Sequence, residues 1–473
     1  MPYTQQTLDE LDRMLEKRCQ SAKIPGMALI ASQDGERIFQ KMYGYRDREK
    51  RLSVTPDTIF GVASITKSVV ALAIMQLEDA GKLTVEDPVI RWLPEFKWPK
   101  ITYTEHLTIH HLLTHTSGLP GLPAVHLARA ASIEDDPDGP YLFGDIPEAN
   151  QPVESVLDIL DVIGRMDFSL LGPPGKVFNY SNEGYALLQE IIERASGMTF
   201  TSYMDKQILS PLNMDRSVFL TETLSGKENV TELYAYTKDK ERDVFHSPVW
   251  WNVGAIYSNG SLKASASDLM TYMDVFHFDG LVGGKRIVSK KSIEKMMTPH
   301  VTLPNGGQYG YGLQIHERDG HQFFGHGGSI KGVSSNIQFS KEKGLSVCVL
   351  MNIADADAEG LAITALNQLS GIKEEETLPE FSMTTEELKQ YAGLYQTLEG
   401  HEVHVTCYNG RLFIEQDSGS IRLCPCAANE FVMQSGKKIV FTVDAHQDVT
   451  GIFRGMRWLP KMKNESLNEN MTW

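Results

Sequence analysis

Ser64 and Lys67 are three positions apart in a segment with a helical pattern, so both side chains are expected on one helix face. A serine hydroxyl is a weak nucleophile until a base takes its proton, and an uncharged lysine can be that base. The same Ser-x-x-Lys spacing begins at Ser292, Ser340, Ser370 and Ser435. Only the first copy opens a long apolar helix, 64–80, which would bury the amine and lower its pKa. We therefore predict that Ser64 is a nucleophile activated by Lys67.

A second candidate motif is Tyr180-Ser181-Asn182, which follows a Pro-Pro-Gly turn and precedes a helical pattern. The phenol of Tyr180 can relay protons to a leaving group, and the amide of Asn182 can hold a substrate carbonyl. The same three letters recur at Tyr257-Ser258-Asn259, within a glycine-rich stretch. We favour the first copy because of its turn and helix context.

A third candidate is Gly325-His326-Gly327-Gly328, at the end of an apolar strand pattern. Glycines at such a position let a substrate backbone approach closely. The alternative interpretation of His326 is a loop histidine without a role.

The cysteines and paired histidines do not predict a metal site. His111 and His115 are four positions apart, but no glutamate follows the first as in His-Glu-x-x-His. Cys424 and Cys426 match neither a zinc knuckle nor Cys-x-x-Cys. No cofactor and no metal are therefore predicted.

The composition limits which binding partners and which cellular compartment are expected. The chain has 45 Lys and Arg against 61 Asp and Glu, a net charge of −16, which disfavours nucleic acid and anionic membranes. No signal peptide is recognised, and the longest apolar run, 69–75, is far shorter than the about 20 residues that span a bilayer. Five scattered cysteines suit a reducing compartment, so a cytoplasmic location is expected. The expected partner is a small peptide, amide or ester.

Hydrophobic periodicity places sheet segments on both sides of a mostly helical region. The N-terminal part predicts a helix at 7–21, a hairpin of 26–32 with 37–43, and the helix 64–80. Further helices are predicted at 110–114, 153–166, 183–195, 200–209, 266–276 and 357–369. Later strands are predicted at 310–315, 322–325, 335–339 and 345–352. From residue 391 onward, short strands alternate with turns, which favours a small antiparallel β-domain or barrel.

Taken in this order, the three motifs resemble those of the penicillin-recognising serine hydrolases, a group with class C β-lactamases, D-alanyl-D-alanine carboxypeptidases and D-aminopeptidases. The resemblance covers about residues 5–370 and includes the segment from His111 to Leu119. It implies an α/β (α+β) β-lactamase-like fold, in which an antiparallel sheet is flanked by terminal helices and joined to a helical subdomain at about 61–280. We predict a hydrolase domain at 1–372, a linker at 373–385 and a lipocalin-like β-barrel at 386–473.

The resemblance also implies roles for the motif residues. Ser64 would attack the carbonyl, Lys67 and Tyr180 would share the base and acid roles in an order that stays open, and Asn182 would orient the substrate. The backbone N–H groups of Ser64 and Ser329 would hold the oxyanion, beside His326, Gly327 and Gly328. Because His326 replaces the family's lysine, which binds a substrate carboxylate, true β-lactamase activity is disfavoured.

Three functional hypotheses follow. The leading one is a peptidase or amidase that acts next to D-amino acids through an acyl-Ser64 intermediate. The alternative is a carboxylesterase of the same architecture. A non-catalytic assembly scaffold is disfavoured by the intact motifs. The C-terminal domain could limit access to the site or mediate homo-oligomer formation.

Overall fold

The computed structural model describes residues 3–96, 104–144, 153–239, 241–254, 256–372, 381–416, 419–434 and 436–462. Within these residues the chain forms a nine-stranded sheet, an eight-stranded sheet and three two-stranded sheets. The two-stranded sheets pair Ile59–Gly61 with Lys263–Ser265, Tyr234–Tyr236 with Val244–His246, and Leu281–Val282 with Lys285–Arg286.

The nine-stranded sheet is antiparallel throughout and combines strands from both ends of the β-lactamase-like part of the chain. From one edge to the other, its strands are Val301–Thr302, Gln308–Tyr309, Gln314–Arg318, His321–Ile330, Val333–Ser340, Leu345–Met351, Gly26–Gln33, Glu36–Asp47 and Leu52–Ser53. Strand Gly26–Gln33 is buried on both faces because helices cover both sides of the sheet.

Two terminal helices, Gln5–Ser21 and Ala358–Ser370, cover one face of this sheet. Each helix begins at a side-chain cap, Thr4 and Asp357 respectively. Leu11 and Leu15 of the first helix share an apolar cluster with the sheet and with the second helix.

A largely helical region covers the other face and surrounds helix Thr66–Asp79, in which 11 residues are buried. The hydrophobic pattern runs around this helix because neighbours pack on every side. The other α-helices of the region are Val89–Trp92, Ile109–Leu113, Ala124–Glu134, Gly139–Phe143, Val156–Arg165, Asn182–Ser196, Phe200–Met204, Tyr257–Gly260, Ala266–His277 and Lys290–Met297. Short 3-10 helices lie at Ala63–Ile65, Thr104–His106 and Thr221–Gly226, and a π-helical turn lies at Asp205–Leu209.

The eight-stranded sheet is an antiparallel meander near the C-terminus that closes almost completely into a barrel. Its strands are Gly393–Gln396, Glu402–Tyr408, Arg411–Gln416, Gly419–Ala427, Glu430–Met433, Lys438–Val443, Val449–Arg454 and Arg457–Pro460, and helix Thr385–Lys389 precedes them. Tyr395 pairs with Lys461, and Met462 N donates to Leu394 O at 2.8 Å, which joins the last strand to the first. The barrel has its own apolar core.

The structure confirms the predicted fold class, with both sheets and the helical region where the patterns placed them. The predicted strand 310–315 is wrong in its first half, because Gly312 turns with a φ of +69° to pass close to the backbone of Ser68. Residues 373–380 of the predicted linker lie outside the described residues, and the domain limits stay predictions. None of the described helices has both the length and the apolar character that crossing a membrane requires.

Candidate active site

Ser64 lies in the short 3-10 turn Ala63–Ile65, directly before the buried helix Thr66–Asp79. Ala63 has a φ of +45°, a region that L-residues seldom occupy, and the turn is held by a hydrogen bond from Thr66 Oγ1 to Ala63 O at 2.6 Å. Strained backbone of this kind is concentrated at functional sites. The turn presents Ser64 to a cavity of about 490 Å³.

Lys67 is completely buried below Ser64. Its Nζ lies 3.3 Å from Ser64 Oγ and donates a hydrogen bond to Asn259 O at 2.8 Å. Burial, followed by the positive charge of Arg457, holds the pKa of Lys67 well below its usual range. A depressed pKa is what an amine needs in order to accept a proton from a serine.

Tyr180 is buried, and its ring packs between other functional groups. The ring centroid lies 4.3 Å from that of His115, 4.9 Å from Lys67 Nζ and 4.8 Å from the guanidinium carbon of Arg457. Its hydroxyl has no partner of good hydrogen-bond geometry among the described residues, although the nearby Ser64 acts to lower its pKa. Burial outweighs that influence and raises the pKa of Tyr180, which favours the protonated phenol.

The C-terminal barrel reaches this site through the turn that precedes its last strand. Tyr180 N donates to Met456 O at 2.9 Å, and Trp458 N donates to Asn179 Oδ1 at 2.9 Å. Beside them, Arg457 Nε lies 2.5 Å from the buried carboxylate of Glu399, an ion pair whose angles are poor for a hydrogen bond. The position of Tyr180 therefore depends on contacts with the barrel.

Strand His321–Ile330 forms a wall of the site next to Ser64. A side chain at Gly328 would place its Cβ 2.3 Å from Val62 O and 2.8 Å from Ser64 N, so only glycine fits without displacement. Gly327 and Ser329 flank this contact and line the cavity. The strand thus brings its backbone against the N–H of Ser64.

His326 is buried, and both of its ring nitrogens are engaged. Nδ1 lies 2.6 Å from Gly327 O and Nε2 lies 3.1 Å from Tyr309 Oη. Because a carbonyl only accepts, Nδ1 carries the proton and Nε2 accepts from the tyrosine. Burial lowers the pKa of His326 to about 3, so the ring is neutral and has no free donor for an anion.

Seven of the eight predicted site residues line the same cavity, and Lys67 lies directly beneath it. Those seven are Ser64, Tyr180, Asn182, His326, Gly327, Gly328 and Ser329. Asn182 is the first residue of helix Asn182–Ser196, which Ser181 caps by accepting from Gly184 N at 3.0 Å. A larger cavity of about 810 Å³ lies at the other end of helix Thr66–Asp79, and none of the eight residues lines it.

The sequence interpretation missed several groups at the site. Asn259, from the second Tyr-Ser-Asn copy, lines the cavity and accepts from Lys67, whereas Tyr257 stacks on Phe200 instead. The repeated three letters were the signal that could have drawn attention to Asn259.

Two buried groups behind Tyr180 were also missed as parts of the site. His115 accepts from Ser181 N at 3.0 Å, while burial holds its pKa well below its usual range. Burial, followed by the charge of Glu399, raises the pKa of Glu183 to about 8. His111, the other half of the histidine pair, instead accepts from Thr108 N at 3.1 Å and caps its helix.

The antiparallel sheet and the helical region form a β-lactamase-like fold, whose members are generally serine hydrolases. In agreement, the Beta-lactamase family model matches residues 11–370. The chain belongs to this family.

Individual relatives extend the likeness into the C-terminal barrel. The chain is 27% identical to Penicillin-binding protein 4* of Bacillus subtilis over 414 residues, which cover 84% of each chain. The structure of the octameric penicillin-binding protein homologue from Pyrococcus abyssi aligns with a TM-score of 0.70 and 30% identity over 97% of this chain and 96% of that one. A D-stereospecific amidohydrolase from Streptomyces shares the fold, with a TM-score of 0.60 and 22% identity over 77% of this chain and 98% of that one.

Proposed function

We propose that the protein is a serine hydrolase that cleaves peptide or amide bonds, next to D-amino acids, through an acyl-Ser64 intermediate. The observation that carries the proposal is the position of the buried, pKa-depressed amine of Lys67, 3.3 Å from Ser64 Oγ. Because the pKa of Lys67 is lowered and that of Tyr180 is raised, we assign Lys67 as the base and Tyr180 as the acid.

In acylation, Lys67 takes the proton of Ser64 Oγ while Oγ attacks the substrate carbonyl carbon. The bond to the leaving group then breaks, and the leaving nitrogen takes a proton from Tyr180. Lys67 then passes its proton to the phenolate oxygen of Tyr180, which restores the phenol. The centroid of the Tyr180 ring lies 4.9 Å from Lys67 Nζ. Lys67 is then uncharged again and ready for the second half of the reaction.

In deacylation, Lys67 accepts a proton from water while the water oxygen attacks the acyl carbon. Ser64 leaves and takes that proton back, which releases a carboxylic acid product. In both halves, the N–H groups of Ser64 and Ser329 are proposed to stabilise the oxyanion, with a contribution of about 3 kcal/mol per donor. The close contact between Gly328 and Ser64 N supports this assignment.

The preference for D-residues rests on resemblance to the D-aminopeptidases and D-alanyl-D-alanine carboxypeptidases. A carboxylesterase remains the second candidate, because acyl transfer from an ester uses the same groups. The Pyrococcus relative is described as an octamer. We propose that this chain also forms homo-oligomers through its C-terminal barrel and that the enzyme is cytoplasmic.

The test combines labelling of Ser64 with a substrate panel. A fluorophosphonate probe should label the wild type and the Ser340→Ala control, which removes the serine of another Ser-x-x-Lys copy, but not Ser64→Ala. D- and L-aminoacyl anilides, nitrocefin and short p-nitrophenyl esters then define the substrate. Turnover of D-anilides supports the proposal, whereas turnover of esters alone supports the carboxylesterase. Absence of labelling at Ser64 would favour the non-catalytic scaffold.

A further inference from the structure

We propose that Arg129 binds a carboxylate of the substrate in the active-site cavity. Arg129 lies on helix Ala124–Glu134 and lines the same cavity as Ser64. The inference rests on the proposed function only in that the cavity is taken as the substrate site. It concerns binding, so it can be tested apart from catalysis.

Arg129 is held by aromatic rings instead of by an acidic partner. Its guanidinium carbon lies 4.6 Å from the centroid of the Phe143 ring and 5.4 Å from that of Trp251. Its Nε is buried and has no hydrogen-bond acceptor among the described residues. The aromatic faces favour a cation here but leave its donors unsatisfied.

The acidic groups nearby are committed to other partners. Asp136, which is buried below Trp251, pairs with Lys331 and accepts from Trp251 Nε1 at 2.7 Å. Glu399 pairs with Arg457 at 2.5 Å. Arg129 therefore retains a positive charge that these carboxylates do not neutralise by contact.

The other carboxylates that line the cavity are also engaged. Glu359 pairs with Lys437 at 2.5 Å, and Asp357 caps its helix by accepting from Gly360 N at 3.0 Å. Burial lowers the pKa of Arg129 only to about 10, so the guanidinium is charged at neutral pH. Arg129 is half-buried, and a charge partly withdrawn from water gains from an ionised ligand. A guanidinium matches a carboxylate with two parallel hydrogen bonds.

The neutral state of His326 gives an independent reason for this assignment. Since both of its ring nitrogens are engaged, the strand that lines the site offers no cation to an anionic substrate. Arg129 supplies one from another wall of the same cavity. We therefore infer a substrate with a free carboxylate, such as a peptide C-terminus.

The test measures binding by calorimetry with N-acetyl-D-alanine and its amide, which differ only in the carboxylate. The wild type should bind the acid at least about tenfold more tightly than the amide. Arg129→Met should remove this preference, and Arg129→Lys, which keeps the charge but not the planar fork, should retain part of it. Arg165→Met, which changes an exposed arginine on another helix, should keep the full preference.

Two results would overturn the inference: equal binding of acid and amide by the wild type, or an undiminished preference in folded Arg129→Met. Circular dichroism establishes folding, and Arg129→Lys provides a second variant if the methionine protein does not fold. Failure of the proposed function is seen separately, as absence of fluorophosphonate labelling at Ser64 in the wild type. A carboxylate preference without labelling would support the binding site and reject the acyl transfer.

Discussion

The guanidinium of Arg457 lies over the ring of Tyr180, 4.8 Å from its centroid, although Arg457 belongs to the last barrel strand and Tyr180 directly precedes the cap of helix Asn182–Ser196. In the turn that directly precedes Arg457, the carbonyl of Met456 accepts a hydrogen bond from the backbone N–H of Tyr180. A residue of the barrel thus contributes positive charge to the site, and that charge favours the uncharged form of Lys67.

Arg457→Met should shift the pH dependence of the enzyme. Since the charge of Arg457 helps to lower the pKa of Lys67, its removal raises that pKa, and the limb of kcat/KM that requires uncharged Lys67 moves to higher pH. An increase of one unit in the pKa of Lys67 corresponds to about a tenfold loss of kcat/KM at pH values below that pKa. The pH profile tests this, with Arg422→Met, an exposed change on the same sheet, as the control. An unmoved limb would show that Arg457 acts only through packing.

Gly328→Ala should impair acylation without preventing folding. The added methyl would lie 2.8 Å from Ser64 N and 2.3 Å from Val62 O, so the strand must move away from the proposed oxyanion donor. Loss of one such donor lowers kcat by about 10² to 10³. Rates of Ser64 labelling measure the effect, and Gly226→Ala, where nothing lies within 4 Å of the added Cβ, is the matched control. Equal rates for both variants would contradict this geometry.

Lys67→Met should lose activity and gain stability. Without the base, acylation should fall by about 10³. The folded state holds the proton of Lys67 less tightly than the unfolded state, so the amine destabilises the fold at neutral pH and ceases to do so as pH rises toward 10.5. The free energy of unfolding should therefore rise at pH 7, and this gain should shrink by pH 9.5.

Urea unfolding at both pH values measures this difference. Lys176→Met, which changes an exposed lysine, should alter stability at neither pH. A loss of stability in Lys67→Met that is equal at pH 7 and 9.5 would refute the buried, uncharged amine.

Glu183→Gln should change the pH dependence of stability in the opposite sense. Its pKa is raised from 4.5 to about 8, so the folded state holds this proton more tightly, and stability is lost as pH rises from about 4.5 to 8. The glutamine variant has no such proton. Its gain in unfolding free energy should be absent near pH 4.5 and reach at least about 2 kcal/mol at pH 8. Thermal or urea unfolding across this range tests it, and the exposed Glu222→Gln should give a flat difference.

The order of the elements and most of the candidate site were predictable from the sequence. The reason is that hydrophobic periodicity and motif spacing reflect interactions within a single helix or strand. The apolar run after Ser64 predicts a helix buried on all sides, and the structure buries 11 of its residues. The predicted helix 266–276 is also present, and Ser265 caps it by accepting from Asp268 N at 3.1 Å. The predicted strand at 310–315 was wrong at Gly312, where the chain turns and passes close to the backbone of Ser68. This contact joins segments that are distant in the sequence.

The amino-acid sequence by itself determined which side chains could do chemistry and which helix or strand carries each one, since spacing and hydrophobic periodicity act within an element. Only the tertiary structure decided that Asn259, Arg457 and Arg129 come to the same cavity as Ser64. It also decided the charge states of Lys67 and His326, because a pKa depends on desolvation and on neighbours brought together by folding. Those neighbours are far apart in the chain, and no local pattern encodes their distance.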